Sequence, residues 1–182
     1  MNRMREQFLL HRVRTHQDME AFRELYEKYV PRIWRFVCSK VPRSEAEGLV
    51  ADTFEKTLVY LTDAPVQNLN ALLYRVARRT IADYYRAREG KEVVELEAAK
   101  NVAADQVGAD EQTDTSLDLA RVKRALKKLN PGYQDVIRMR YMEGLEIKEI
   151  AQALQKTPNT TRVTVHRALA ALKAAVAREE SE

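Results

Sequence analysis

The apolar residues of this chain recur at the three- and four-residue spacing of α-helices almost from end to end. One apolar stripe runs over 19–41, a second over 49–61, and a third long helix is predicted from about Leu69 to Arg88. Further stripes follow beyond residue 117, and no segment alternates apolar and polar residues as a half-buried strand does. The sequence therefore predicts an all-α fold.

Proline and hydroxyl or amide side chains predict where these helices begin and break. Pro31 lies inside the first stripe, where we expect a kink or a short break. Ser44, with Glu47 three residues later, has the spacing of a capping box and predicts the start of the second helix. Asn130-Pro131 and Thr157-Pro158 each read as an N-cap followed by proline in the first helical turn.

Between the two helical blocks the composition changes. Residues 92–118 hold eight acidic side chains against one base, Lys100, and no aromatic residue. Such a segment is typical of a flexible linker. We therefore expect two small helical domains, residues 1–90 and 117–182, joined by an acidic linker over residues 91–116. A solvated spacer explains the linker better than a segment that threads a basic channel of a partner.

Composition excludes several classes of function. The single cysteine, Cys38, rules out an internal disulfide framework, and the three histidines have no ligand-spaced company, so no metal or other cofactor is expected. No nucleophile–base set, carboxylate pair or Gly-rich phosphate loop indicates an enzyme, so no catalytic residue is proposed. No apolar run approaches the roughly 20 residues of a membrane span, and the N-terminus is too short and too charged for a secretory signal. A soluble cytoplasmic protein is expected.

The strongest local signal is a short helix, a tight turn and a longer helix near the C-terminus. Ile147–Leu154 and a helix from Pro158 to about Ala177 form a helix-turn-helix candidate, preceded by a helix that carries Val136, Ile137 and Tyr141 and ends at Gly144. On a helical wheel Thr161 faces inward, and we expect its hydroxyl to bond a backbone carbonyl. The residues suited to base-edge and phosphate contact are Thr157, Asn159, Thr160, Arg162, Val163, Thr164, His166 and Arg167. An ordinary helical hairpin with a polar outside remains an alternative.

A second signal is a basic stripe on the third long helix. Arg75, Arg79 and Arg86 lie opposite a broad apolar face, with Arg78 beside them. A stripe of one sign opposite a core face suits tracking of phosphates, although a merely solvated charged face is the alternative.

Four stretches, taken in order, resemble a known family. They are 18–26, 46–54, 73–79 with Asp83 to Arg86, and 126–172. Together they are similar to a bacterial RNA polymerase sigma factor of the extracytoplasmic-function (ECF) group of the sigma-70 family. The resemblance implies a region 2-like helical bundle and a region 4-like helix-turn-helix domain.

That resemblance also implies partners and contact residues. Core RNA polymerase would be bound through Leu49, Asp52, Thr53 and Lys56, with Phe54 in the core. The −10 promoter element would be taken by Gln67, Asn68, Asn70, Arg75, Arg78, Arg79 and Arg86. The −35 element would be read by the helix-turn-helix residues named above. The protein would associate with the nucleoid when bound to polymerase, and an anti-sigma partner rests on the resemblance alone.

Departures from the family pattern and rival interpretations stay open at this point. Gly48 and Ala51 stand where an acid and Gln are usual, Arg79 where Asn is usual, and Glu146 replaces a Ser cap. The loop before the third helix has no aromatic residue to wedge into stacked bases, so we expect weak melting power. A stand-alone helix-turn-helix regulator and a helical adaptor protein are the alternatives.

Overall fold

A computed structural model describes residues 3–89 and 114–179, and every regular element in these two ranges is helical. The all-α prediction is confirmed. The described residues divide into two compact units, 3–89 in the first and 114–179 in the second. Most of the expected linker, 91–113, lies outside the described residues, and its last residues already belong to a helix that begins at Asp114.

The first unit contains four helices: α1 (Arg3–His16), α2 (Met19–Cys38), α3 (Arg43–Asp63) and α4 (Leu69–Glu89). α3 packs against the other three helices, and α2 also packs against α1 and α4. Leu25, Ile33, Leu61 and Tyr74 are almost completely buried, and the Tyr74 ring meets Phe36 edge to face with centroids 5.2 Å apart. This core holds α3 and α4 side by side with their polar faces outward.

The expected short break at Pro31 is absent, and the expected capping box at Ser44 is wrong. α2 runs through Pro31 without interruption, because Pro31 is exposed while Tyr29 and Ile33 on either side of it are buried in the core. Burial on both sides outweighs the lost backbone hydrogen bond. α3 begins one residue before Ser44, so Pro42 takes the N-cap position and its carbonyl oxygen accepts the Glu45 N–H at 3.0 Å.

The second unit contains α5 (Asp114–Lys128), α6 (Pro131–Ile137), a π-helical turn (Arg138–Met142), α7 (Ile147–Leu154) and α8 (Pro158–Glu179). α8 packs against α5, α6 and α7. Val136, Met139, Leu145 and Ile150 are fully buried. Each neighbouring helix therefore contributes to one core beneath the inner face of α8.

The predicted caps of this unit are confirmed, and the helical path that begins at Pro131 ends before Gly144 as predicted. The Asn130 side chain accepts the Tyr133 N–H at 2.9 Å, and the Thr157 hydroxyl oxygen accepts the Thr160 N–H at 3.2 Å. The α-helical part, α6, ends at Ile137, and the path continues as the π turn, in which Tyr141 is 56% exposed. Gly144 then adopts φ +71°, and the Leu145 N–H donates to the Met139 carbonyl at 2.8 Å.

None of the helices within 3–89 and 114–179 is both long and apolar enough to cross a lipid bilayer.

Candidate nucleic-acid interface

The helix-turn-helix hairpin is built by α7, a short turn and α8. Glu146 supplies no hydroxyl cap to α7, but the Glu149 carboxylate accepts the Glu146 backbone N–H at 2.7 Å and closes the helix start. Gln155 adopts the left-handed conformation (φ 54°) and the Lys156 N–H donates to the Ala151 carbonyl at 2.9 Å. The chain can therefore reverse direction in three residues and enter α8.

The outer face of α8 presents the residues predicted to contact DNA. Seven of the eight are exposed and Thr164 is half-buried, while Val165, Ala168 and Leu172 pack inward. Val163 is 43% exposed, so its methyl groups are available to a partner. This division agrees with the helical wheel.

Threonine hydroxyls lock the start of α8 into place. The Thr157 and Thr160 hydroxyl oxygens lie 2.9 Å apart, and the Thr164 hydroxyl donates to the Thr160 carbonyl at 2.8 Å. These bonds fix the side-chain rotamers of Thr157, Thr160 and Thr164 at the start of the exposed face.

The basic stripe on α4 is exposed as predicted. Arg75, Arg79 and Arg86 are exposed and Arg78 is half-buried, whereas Leu73 and Ala77 are almost completely buried on the opposite side. Arg86 forms an ion pair with Asp83, which reduces its net field. Arg79 forms no ion pair with any residue in the described part of the chain, so its full charge faces solvent.

The three predicted base-contacting residues of the loop before α4 lie in different environments. Gln67 is exposed, and its backbone carbonyl accepts the Gln7 side-chain N–H at 3.0 Å. The Asn68 side-chain oxygen caps α4 by accepting the Ala71 N–H at 3.0 Å, so this oxygen is already engaged. Asn70 is half-buried, and its side-chain oxygen has no hydrogen-bond partner among the described residues.

The residues predicted to contact polymerase on α3 fall into two groups. Asp52 and Lys56 are exposed, but Leu49 is almost completely buried and Thr53 is fully buried, with its hydroxyl donating to the Leu49 carbonyl at 2.7 Å. The prediction is corrected for Leu49 and Thr53, because buried side chains cannot form a contact surface without unpacking the core. Phe54 is buried as expected and meets Tyr26 edge to face, with ring centroids 4.6 Å apart.

The departures from the family pattern on α3 lie on this exposed face. Gly48 and Ala51 are exposed, and a Cβ atom added to Gly48 meets nothing within 4 Å. Crowding therefore does not require a glycine at position 48. With Gly48 and Ala51, this face of α3 carries smaller and less charged side chains than the family pattern implies.

Tyr60 contacts the basic stripe of α4, and sequence reasoning missed it. It lies near the end of α3, 41% exposed, and the guanidinium carbon of Arg75 on α4 stands 5.7 Å from its ring centroid. Helical spacing within α4 and its loop cannot reveal this residue, because it is the packing of α3 on α4 that brings the Tyr60 ring to the basic stripe. The only sequence signal was its position outside the α3 apolar stripe.

No group of three or more His, Cys, Asp or Glu side chains within 3–89 and 114–179 converges as metal ligands would. The exposed faces of α4 and α8 offer hydrogen-bonding groups, positive charge and apolar contact.

Comparison with known proteins gives the same two-part division. Residues 25–90 match the family "Sigma-70 region 2", and residues 119–172 match "Sigma-70, region 4". The chain is 30% identical over 142 residues to the RNA polymerase sigma factor CnrH of Cupriavidus metallidurans, covering 74% of each protein. It is 25% identical over 160 residues to the ECF RNA polymerase sigma factor BldN of Streptomyces coelicolor, covering 85% of this chain and 60% of that protein.

Solved structures share the fold. The structure of CnrH in complex with the cytosolic domain of CnrY matches with a TM-score of 0.70 at 22% identity, over 96% of this chain and 98% of that one. The sigma factor RpoE of Bartonella quintana, in complex with the anti-sigma factor NepR, matches with a TM-score of 0.64 at 23% identity, over 85% and 96% of the two chains.

Proposed function

Because this chain belongs to the ECF group of the sigma-70 family of RNA polymerase sigma factors, we propose that it binds core RNA polymerase and directs transcription initiation at promoters with −10 and −35 elements. The observation that carries the proposal is the pairing of two helical units, each of which exposes its own nucleic-acid-suited face. The proposed domains are residues 1–90 and 117–182, with 91–116 as the connection.

In the second unit, α8 is the proposed reader of the −35 element in the major groove of duplex DNA. Asn159 and Arg167 carry groups that pair with base edges or phosphates, and Val163 suits a thymine methyl group. Arg162 and His166, on the flanks of the same exposed face, suit the phosphates on either side of the groove. The threonine bonds at the start of α8 support this role because they fix the entry of the helix.

In the first unit, α4 and the loop before it are the proposed site of the −10 element. Arg75, Arg78, Arg79 and Arg86 would follow the phosphates of a strand whose bases are turned out of the duplex. The side-chain oxygen of Asn70 is buried and has no hydrogen-bond partner among the described residues, so the side chain would have to turn outward to accept a hydrogen bond from a base. Gln67, three residues before Asn70, is exposed and would supply a second polar group.

The exposed face of α3 is the proposed contact with core polymerase. Asp52 and Lys56 lie there, one helical turn apart and both exposed. Because Leu49 and Thr53 are buried beneath them, they would act by holding α3 rather than by touching the enzyme.

Regulation by an anti-sigma protein is part of the proposal. The Bartonella quintana relative is bound to an anti-sigma factor, and CnrH is bound to the cytosolic domain of CnrY. A protein that works with polymerase and such a partner would be cytoplasmic, would join the nucleoid with polymerase, and would perform no bond chemistry of its own.

The test is transcription in vitro with purified bacterial core polymerase and a library of genomic fragments, with and without the full chain. We expect new, reproducible start sites only when the chain is present, and co-elution of the chain with core enzyme. Tight, specific duplex binding by the chain alone, without an effect on core enzyme, would instead favour a stand-alone regulator. No dependence on DNA at all would favour an adaptor.

A further inference from the structure

We propose that Tyr60 and Arg75 together form a stacking platform for one unpaired base of the −10 strand, an assignment that rests on the proposed function. The Tyr60 ring would take the face of the base, and Arg75 would hold the adjoining phosphate. This role would supply the aromatic group that the loop itself lacks.

The geometry brings a π surface and a cation to one place on the outside of the first unit. The Arg75 guanidinium carbon lies 5.7 Å from the Tyr60 ring centroid, within the range of a cation–π contact. Tyr60 is 41% exposed and Arg75 is exposed, although they come from different helices. Single-stranded nucleic acids are held by this combination of aromatic stacking and backbone-tracking charge.

Charge balance distinguishes this pair from the other cation–π pairs in the described residues. Those pairs are Phe8 with Arg12, Tyr29 with Lys28, and Tyr84 with Arg88. In each of them the cation also binds a carboxylate: Arg12 binds Asp18, Lys28 binds Glu6 and Arg88 binds Glu45.

Arg75 has no such carboxylate among the described residues, so its charge is not neutralised by the protein. A cation without a carboxylate partner keeps its full charge for a phosphate, whereas a cation that is already paired offers less. Arg79, one helical turn further along α4, is also without an ion pair within residues 3–89 and 114–179 and extends the phosphate track.

The test uses holoenzyme made from core polymerase and the full chain, on a promoter found with the wild-type protein. It compares an intact duplex with a template whose −10 segment is already unpaired by mismatches. Tyr60→Leu removes the stacking surface and Tyr60→Phe keeps it. We expect Tyr60→Leu to reduce open-complex formation on the duplex by about 5- to 150-fold, the range for loss of one base–aromatic stack, and Tyr60→Phe to remain near wild type.

Phe8→Leu is the matched control, because Phe8 is also exposed and also lies 5.7 Å from an arginine guanidinium carbon, but on α1. It should leave open-complex formation unchanged. Fluorescence of 2-aminopurine placed along the −10 strand should be quenched at one position by the wild type and by Tyr60→Phe, and not by Tyr60→Leu.

Equal duplex opening by Tyr60→Leu and wild type, with no loss of quenching at any position, would overturn the assignment. An equal loss with Phe8→Leu would also overturn it. If wild-type holoenzyme starts transcription nowhere, the proposed function itself fails, and that result is seen before any variant is compared.

Discussion

The hydroxyl of Thr161 donates to the backbone carbonyl of Thr157 at 3.0 Å, while the Thr161 side chain is completely buried beneath the outer face of α8. The same carbonyl also accepts the Thr161 backbone N–H at 3.0 Å. The Thr161 hydroxyl therefore has an acceptor, and the Thr157 carbonyl keeps a hydrogen-bond donor even without that hydroxyl.

Replacing Thr161 by Val should change the free energy of unfolding by no more than about 1 kcal/mol, because it removes the buried hydroxyl and keeps the volume. Thr161→Ala should destabilise by about 1–2 kcal/mol, because it leaves a cavity beneath α8. Urea unfolding of both variants measures the difference. A larger loss for Val than for Ala would contradict this account.

Two residues in left-handed conformation flank α7, and only one of them is glycine. Gly144 has φ +71° and Gln155 has φ 54°. Gly144→Ala should destabilise the second unit by about 1 kcal/mol, and Gln155→Gly should stabilise it by a few tenths to about 1 kcal/mol, because a Cβ atom strains this conformation. Thermal unfolding of the two variants should shift in opposite directions. Shifts of the same sign would show that local strain does not control these positions.

Asp18 should make the stability of the first unit sensitive to acid. The Ala21 backbone N–H that its carboxylate accepts at 3.0 Å, assisted by Arg12, lowers the pKa of Asp18 in the folded chain. A lowered folded pKa gives stability that is present above the unfolded pKa of about 4 and is lost as pH falls through the folded pKa.

The Asp18→Asn variant keeps an N-cap but cannot titrate. Its thermal midpoint should lie below that of wild type at neutral pH, and the difference should shrink as pH is lowered from about 5 toward 3. A difference that stays constant over this range would show that the Asp18 charge does not contribute.

Arg79 should contribute directly to the salt dependence of promoter binding. If it holds one phosphate, Arg79→Ala lowers the slope of log binding constant against log salt concentration by about one unit. Arg75→Ala should behave in the same way, whereas Arg79→Lys should keep the slope. This slope is measured from the binding of holoenzyme to a labelled promoter at a series of low to moderate salt concentrations. An unchanged slope for Arg79→Ala would remove the α4 stripe from the DNA contact.

Val163 should recognise a thymine methyl group in the −35 element. Replacing that thymine by uracil deletes only the methyl group, so wild-type binding should weaken by about fourfold. The Val163→Ala variant should bind both DNAs equally. If uracil weakens binding of the two proteins to the same extent, the methyl contact is absent.

The helices and their inward faces could be predicted from sequence because their apolar residues repeat with the period of the helix. A helical wheel puts Thr161 and Val165 inside and Asn159 and Val163 outside, as the structure does. Caps at Asn130 and Thr157 were also local signals, since each acts on a backbone N–H three residues away.

The errors arose where distant residues decide the outcome. α2 continues through Pro31 because residues on both sides of it are buried against other helices, and local propensity contains no such term. Thr53 has a polar side chain, but burial against the core turns its hydroxyl back to the Leu49 carbonyl. Helical spacing alone cannot distinguish these cases.

The sequence by itself determined the two helical blocks, their order and the outward side chains of α4 and α8, because each depends on spacing within one helix. Only the tertiary structure decided which residues from different helices share a surface. Tyr60 and Arg75 are 15 positions apart and meet because α3 packs against α4. That contact depends on which faces the core buries, a property of all four helices of the first unit together.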